Sequence, residues 1–143
     1  MSVKSWKHEF MPKKMPVSAG VRAIQWSIRK FEGAKSCNLR KHGVKIVDAC
    51  LQDGDSSEEF FGPDHCPLCI RFRSSVQFKC DGCPLERARG GVLCYQKGTS
   101  KVSPYHAALG LDGAKKNVGP MLRLLREAEK MLCGESRRRR QGD

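Results

Sequence analysis

Five of the eight cysteines in this chain fall in one short window. It reads Cys66-Pro-Leu-Cys69, ten residues, Cys80-Asp-Gly-Cys83-Pro, and ten more to Cys94. Two Cys-x-x-Cys knuckles joined by a loop bring four thiolates to the corners of a tetrahedron, the geometry Zn²⁺ takes in closed structural sites. The window therefore predicts a structural Zn²⁺ held by Cys66, Cys69, Cys80 and Cys83. Cys94 is an alternative ligand that would displace Cys80, since one zinc takes four. Between the knuckles, Ile70 and Phe72, then Val76 and Phe78, alternate with Arg71, Arg73, Gln77 and Lys79 around Ser74-Ser75. That pattern predicts a hairpin, which carries both pairs to one ion.

The length of 143 residues suits about one small domain, and only 39% of them are apolar. A thin core gains from a metal, because zinc binding contributes folding free energy directly. No secretory signal and no stretch of roughly 20 apolar residues is found, so the expectation is a cytoplasmic protein without a membrane span. A reducing compartment favours ligation over disulfides for clustered cysteines. Cys37, Cys50 and Cys133 stand apart and read as small buried hydrophobes.

The net charge is +12, distributed in blocks. The segment 46–65 is wholly acidic (Asp48, Asp53, Asp55, Glu58, Glu59, Asp64), and every other block is positive. Such a balance attracts polyanions, chiefly nucleic acid, while the acidic segment could face a basic protein partner. The candidate phosphate contacts are Arg71, Arg73 and Lys79 on the hairpin, Arg87 and Arg89 after the second knuckle, and the tail Arg137, Arg138, Arg139 and Arg140.

The expected fold is α+β and helix-rich, a small zinc-knuckle hairpin domain flanked by N-terminal and C-terminal amphipathic helices. Its divisions are a basic N-terminal arm (1–17), a helical segment (18–51), an acidic loop (52–65), the zinc window (66–103), a C-terminal helical segment (104–134) and an Arg-rich, disordered tail (135–143). Ser18 is the expected cap of a first helix with Val21, Ile24, Ile28 and Phe31 inward and Arg22, Arg29 and Lys30 on the wet face. Trp26 sits at its edge and reads as a packing ring before a base-stacking platform. Asn38 can cap a short helix over 39–42 that Gly43 stops, while Val44 to Val47 are either strand or helix. Phe60 and Phe61 anchor the acidic loop to the core. Ser103 and Pro104 start a short helix ended by Gly110. Met121, Leu122, Leu124, Leu125, Ala128, Met131 and Leu132 form the stripe of a last helix, suited to packing on the first and ending at Gly134.

The two knuckles, Cys94, Ser103-Pro104-Tyr105 and the leucine-rich helix, with Ser27 to Gly33 and Asn38 to Gly43 upstream, resemble short zinc-cluster proteins encoded by bacteriophages and prophages. The resemblance covers 21–133, and the acidic insertion around 52–64 and the Arg tail depart from the pattern. It implies a phage accessory protein acting in the host cytoplasm on host or phage nucleic-acid machinery, with no activity attached. Read from the residues, the chain is a non-enzymatic binding protein. A zinc deaminase would need His-x-Glu, which is absent, and a closed four-thiolate site offers no open position for catalysis. The alternatives are a protein-interaction module that inhibits or redirects a host protein, and a zinc-dependent enzyme of nucleic-acid metabolism. His8, His42, His65 and His106 carry no mark of a base or ligand, His65 reading as a loop imidazole beside Cys66.

Overall fold

The computed structural model describes residues 2–16, 20–62, 65–66, 83–90, 94, 96, 102–111 and 114–141. It is helix-rich α+β: α1 (Val3–Phe10), α2 (Val21–Glu32), α3 (Ser36–His42), β1 (Lys45–Val47), β2 (Cys50–Gln52), β3 (Ser57–Glu59), α4 (Pro84–Ala88), α5 (Pro104–Leu109) and α6 (Gly119–Gln141). The strands form one antiparallel sheet in the order β1-β2-β3.

The basic N-terminal arm turns out to carry a helix. Ser2 and Ser5 form a reciprocal capping box at the start of α1. Val3, Trp6 and Phe10, at i, i+3 and i+7, turn one face inward. Trp6 is fully buried, and its indole N–H donates to the Gly33 carbonyl at 2.9 Å. Gly33 is required there for space, because a Cβ would lie 2.6 to 2.8 Å from the rings of Phe10 and Trp6.

Ser18 lies outside the described residues, and α2 starts instead behind Gly20. The buried arc of α2 is Ala23, Ile24, Ser27, Lys30 and Phe31. It is rotated from the expected stripe toward Ser27, because Ala23 and Ser27 are small enough to let a neighbouring helix approach closely. That neighbour is α6, the partner expected for the leucine stripe, with Met121, Leu122, Leu124, Leu125 and Ala128 buried. Lys30, placed by the sequence on the wet face, is only 1% exposed. Trp26 is half-buried outside the core cluster, its ring 5.2 Å from Lys30 Nζ and its indole N–H donating to the Lys13 carbonyl at 3.1 Å.

Asn38 does not cap α3. It lies within that helix and donates to the Glu32 carbonyl at 2.8 Å, closing the end of α2. Gly43 ends α3 in the left-handed region, as expected. The segment left open as strand or helix is strand β1, joined to β2 by a two-residue turn with positive φ at Asp48 and Ala49. Part of the expected acidic loop pairs as β3, with all three of its residues exposed. Phe60 and Phe61 then enter the core, 4% and 2% exposed. Ser103, Pro104 and Gly110 bound α5 as the sequence indicates, the Ser103 hydroxyl accepting from His106 N–H. Gly134 does not stop α6, which runs on through the four arginines expected to be disordered. Basic residues at this end complement the helix dipole. Cys37 is exposed and Cys50 and Cys133 are half-buried, so none of the three is the buried hydrophobe expected.

The turn after β2 is tied to α1 by one carboxylate. Asp53 accepts from Val3 N–H, at the positive end of α1, and from Asp55 and Ser56 N–H, each at 2.7 Å. These backbone donors hold the Asp53 carboxyl down to about 2 from its ordinary 3.8. A depressed folded-state pKa contributes stability that is present above about pH 4 and lost as pH falls toward 2. Asp53→Asn is therefore expected to lower the melting temperature at neutral pH. The gap from the parent protein should narrow through that acid window, and thermal melts between pH 2 and 7 check it.

Candidate metal centre and its anchorage

Of the five clustered cysteines, Cys66, Cys83 and Cys94 fall among the described residues; Cys69, Cys80, Arg71, Arg73 and Lys79 lie outside them. Cys83 is a buried member of the core cluster, and Cys66 and Cys94 are half-buried and packed against the same cluster. Three thiols separated by up to 28 positions in sequence thus line one apolar body. Among the described residues no three Cys, His, Asp or Glu side chains are gathered as a metal-ligand set. The chemistry of the donors fits zinc: the window offers soft thiols in knuckle spacing, and the described ones sit at the rim of a core rather than in open solvent.

Each of these cysteines is delivered by a fixed element. Cys83 precedes α4, where its carbonyl accepts from Arg87 N–H at 3.0 Å, and Leu85 on that helix is 2% exposed. The Cys94 carbonyl accepts from Tyr105 N–H at 3.1 Å, and the Tyr105 hydroxyl donates to the Phe61 carbonyl at 2.8 Å. Tyr105 therefore straps the end of the window to the residues ahead of its first knuckle. Cys66 follows His65, whose carbonyl accepts from Lys30 Nζ at 2.8 Å, and Lys30 also donates to the Phe60 carbonyl at 2.9 Å. The ring of His65 meets that of Phe60 edge-on at 6.4 Å. Lys30 is the main anchoring residue that the sequence reading missed. Its only sequence signal is position: residue 30 falls on the same side of α2 as Ala23 and Ser27.

The two described residues after the second knuckle that were expected to contact phosphate are both engaged within the chain. Arg87 is ion-paired with Glu135 of α6, and Arg89 donates to the Gln96 carbonyl at 2.8 Å. Arg137 to Arg140 lie in the last turns of α6. The sequence places Arg123, Arg126 and Lys130 on the wet side of the last helix without naming them as phosphate contacts, and they stand exposed along α6 at i, i+3 and i+7. Arg22 and Arg29 are exposed on α2. Arg126 reaches Glu32, so this part of the basic surface spans the α2–α6 pair.

His42 is better connected than its isolation in sequence suggests. It is 8% exposed, its Nδ1 2.8 Å from the Ser5 hydroxyl and its Nε2 2.6 Å from a Glu9 carboxylate oxygen. Hydrogen bonds from His42 and then Lys41 hold the Glu9 carboxyl below its usual range. The order serine, imidazole, carboxylate resembles a nucleophile relay. Ser5, however, is committed to the α1 cap, accepting from Ser2 N–H and lying 2.9 Å from the Ser2 carbonyl. The group ties α3 to α1.

Compared with protein-family models, with curated proteins and with solved structures, the chain matches none. Among the described residues no helix is long and apolar enough to cross a membrane.

Proposed function

We infer that the chain is a zinc-stabilised accessory binding protein, of the kind its cysteine pattern resembles, that contacts nucleic acid or a nucleic-acid-processing complex. The observation that carries this reading is the net charge of +12 together with exposed cations on the described helices, Arg22 and Arg29 on α2 and Arg123 and Lys130 on α6, while Cys66, Cys83 and Cys94 pack with the core. Metal and recognition are then separate duties. Zn²⁺, held by four of Cys66, Cys69, Cys80, Cys83 and Cys94, fixes the window, and cations outside the core meet phosphates. Arg71, Arg73 and Lys79 remain candidates by sequence, together with Arg137 to Arg140. Arg123 and Lys130 join them on α6, while Arg87, Arg89 and Arg126 have intrachain duties first.

Binding of this kind weakens with salt, because each neutralised phosphate releases counterion. Fluorescence anisotropy with a single-stranded and a double-stranded oligonucleotide should show affinity falling by about 10³-fold or more between 50 and 200 mM salt for six or more contacts. Replacing Arg123 and Lys130 together by Ala should reduce the logarithmic salt slope by roughly two. Absence of binding to DNA and RNA at low salt would sink the reading.

The exposed outer strand β3, with Glu58 and Glu59, favours a second reading, a protein-interaction module that docks a basic partner. Pull-down from a bacterial lysate with and without nuclease separates the two. A partner retained after nuclease, and lost on Glu58→Lys, supports the module.

A further inference from the structure

The geometry points to Lys30 as the positioning residue of the metal site, the group that sets where Cys66 stands; this rests on the metal reading above. Burying an ammonium is costly unless its donors are satisfied. Here two donors go to backbone carbonyls, Phe60 at 2.9 Å and His65 at 2.8 Å, which flank the turn leading into the first knuckle. The rings of Trp26, Phe31 and Phe61 stand 5.2, 5.4 and 5.4 Å from the same nitrogen. Cation–π attraction of this kind is worth about 0.5–2 kcal/mol per ring in general.

A lysine serving only to fill the core would be replaced by leucine or methionine at lower desolvation cost. What Lys30 adds is a fixed point. A trans peptide keeps a carbonyl oxygen about 2.8 Å from the next Cα, which places the ammonium within roughly 6 Å of Cys66 Cα. The position of Cys66 is thereby referred to α2 rather than left to the window. With Zn²⁺ bound by four thiolates, a positive charge beside Cys66 would offset part of their excess negative charge.

The test measures zinc affinity by competition with a chromophoric chelator on the full chain. Lys30→Met is expected to weaken zinc binding about 10–100-fold, the usual range for losing a partner of a metal ligand. Leu125→Ala, which removes a fully buried side chain of α6, should destabilise the fold yet leave zinc affinity within about threefold. Lys30→Arg, which keeps the charge and donors to the same carbonyls in a larger head group, should lose clearly less affinity than Lys30→Met. Because Lys30 acts through Cys66, Lys30→Met added to Cys66→Ser should cost little more than Cys66→Ser alone, whereas added to Cys83→Ser it should cost its full amount.

If the parent protein takes up no zinc, the metal reading fails and this inference with it. If the parent binds zinc and Lys30→Met binds equally, or loses as much in the Cys66→Ser background as in the parent, the inference alone is overturned. A loss in Lys30→Arg equal to that in Lys30→Met would also overturn it. Circular dichroism on each variant identifies any that has lost its helices, and Lys30→Arg keeps the test decisive if Lys30→Met is one of them.

Discussion

Trp6→Ala is expected to cost about 3–5 kcal/mol, the range for truncating a fully buried Trp or Phe, and so to consume a large part of the 5–15 kcal/mol that holds an ordinary domain together. The reason lies in what meets at this ring. Trp6 stacks on Phe60 at 5.8 Å and 17° between planes, and contacts Phe10 at 5.5 Å and Phe61 at 6.0 Å. Its N–H also satisfies the carbonyl of Gly33, at the end of α2. One side chain thus joins the first helix, the end of the second, and the stem of the cysteine window. Truncation leaves a cavity among aromatics too large to collapse onto it and an unsatisfied carbonyl. Trp6→Phe keeps most of the packing and loses the donor, so it should cost only about 1–3 kcal/mol. Urea denaturation followed by circular dichroism gives both values. A cost below about 1 kcal/mol for Trp6→Ala would show that α1 is dispensable to the core.

That Trp6 anchors the molecule was not read from the sequence, although the signal is present. Ser2 and Ser5 at cap spacing, with Val3, Trp6 and Phe10 at helical spacing, describe an amphipathic helix. Four lysines among the first fourteen residues drew attention to charge instead. The last helix was legible because seven apolar residues repeat along it, and α5 because Ser-Pro at its start and Gly at its end are strong local signals. Lys30 was not legible for a physical reason. Charged residues are placed outside by default, and the exception here depends on two carbonyls more than 29 residues away in sequence, at Phe60 and His65. Acidity likewise concealed β3: Glu58 and Glu59 lie on an outer strand, where charge is tolerated and discourages edge-to-edge association. For the candidate site, spacing identified the thiols, and packing showed that Cys66, Cys83 and Cys94 share one apolar support. The anchors Tyr105 and Lys30 needed the fold, since each acts through backbone carbonyls that carry no sequence signature.

The same support fixes what metal removal should do. On the proposed reading, chelation is expected to lower the melting temperature without dissolving every helix. A ligand present at a thousand times its dissociation constant stabilises a fold by about 4 kcal/mol. For a chain of this length that corresponds to a fall of roughly 10–15 °C when the metal is withdrawn. The loss should be uneven. Core residues Trp6, Ile24, Phe31, Leu122 and Leu125 lie outside the window and keep α1, α2 and α6 together. Phe60 and Phe61 on one side and Leu85, Ala108 and Leu109 on the other join that core from either flank of the window. Without metal those flanks keep their shared packing and the Tyr105–Phe61 hydrogen bond but lose the cross-link through the window, which raises the entropy of the open state. Thermal melts of the parent with and without chelator, beside Cys83→Ser, therefore form one comparison. Chelation should move the melting temperature of the parent and should move that of Cys83→Ser, whose site has lost a thiolate, by much less. Thiol titration should release four reactive groups on chelation. Disulfides would release none, and a melting temperature unmoved by the chelator would remove zinc from the fold.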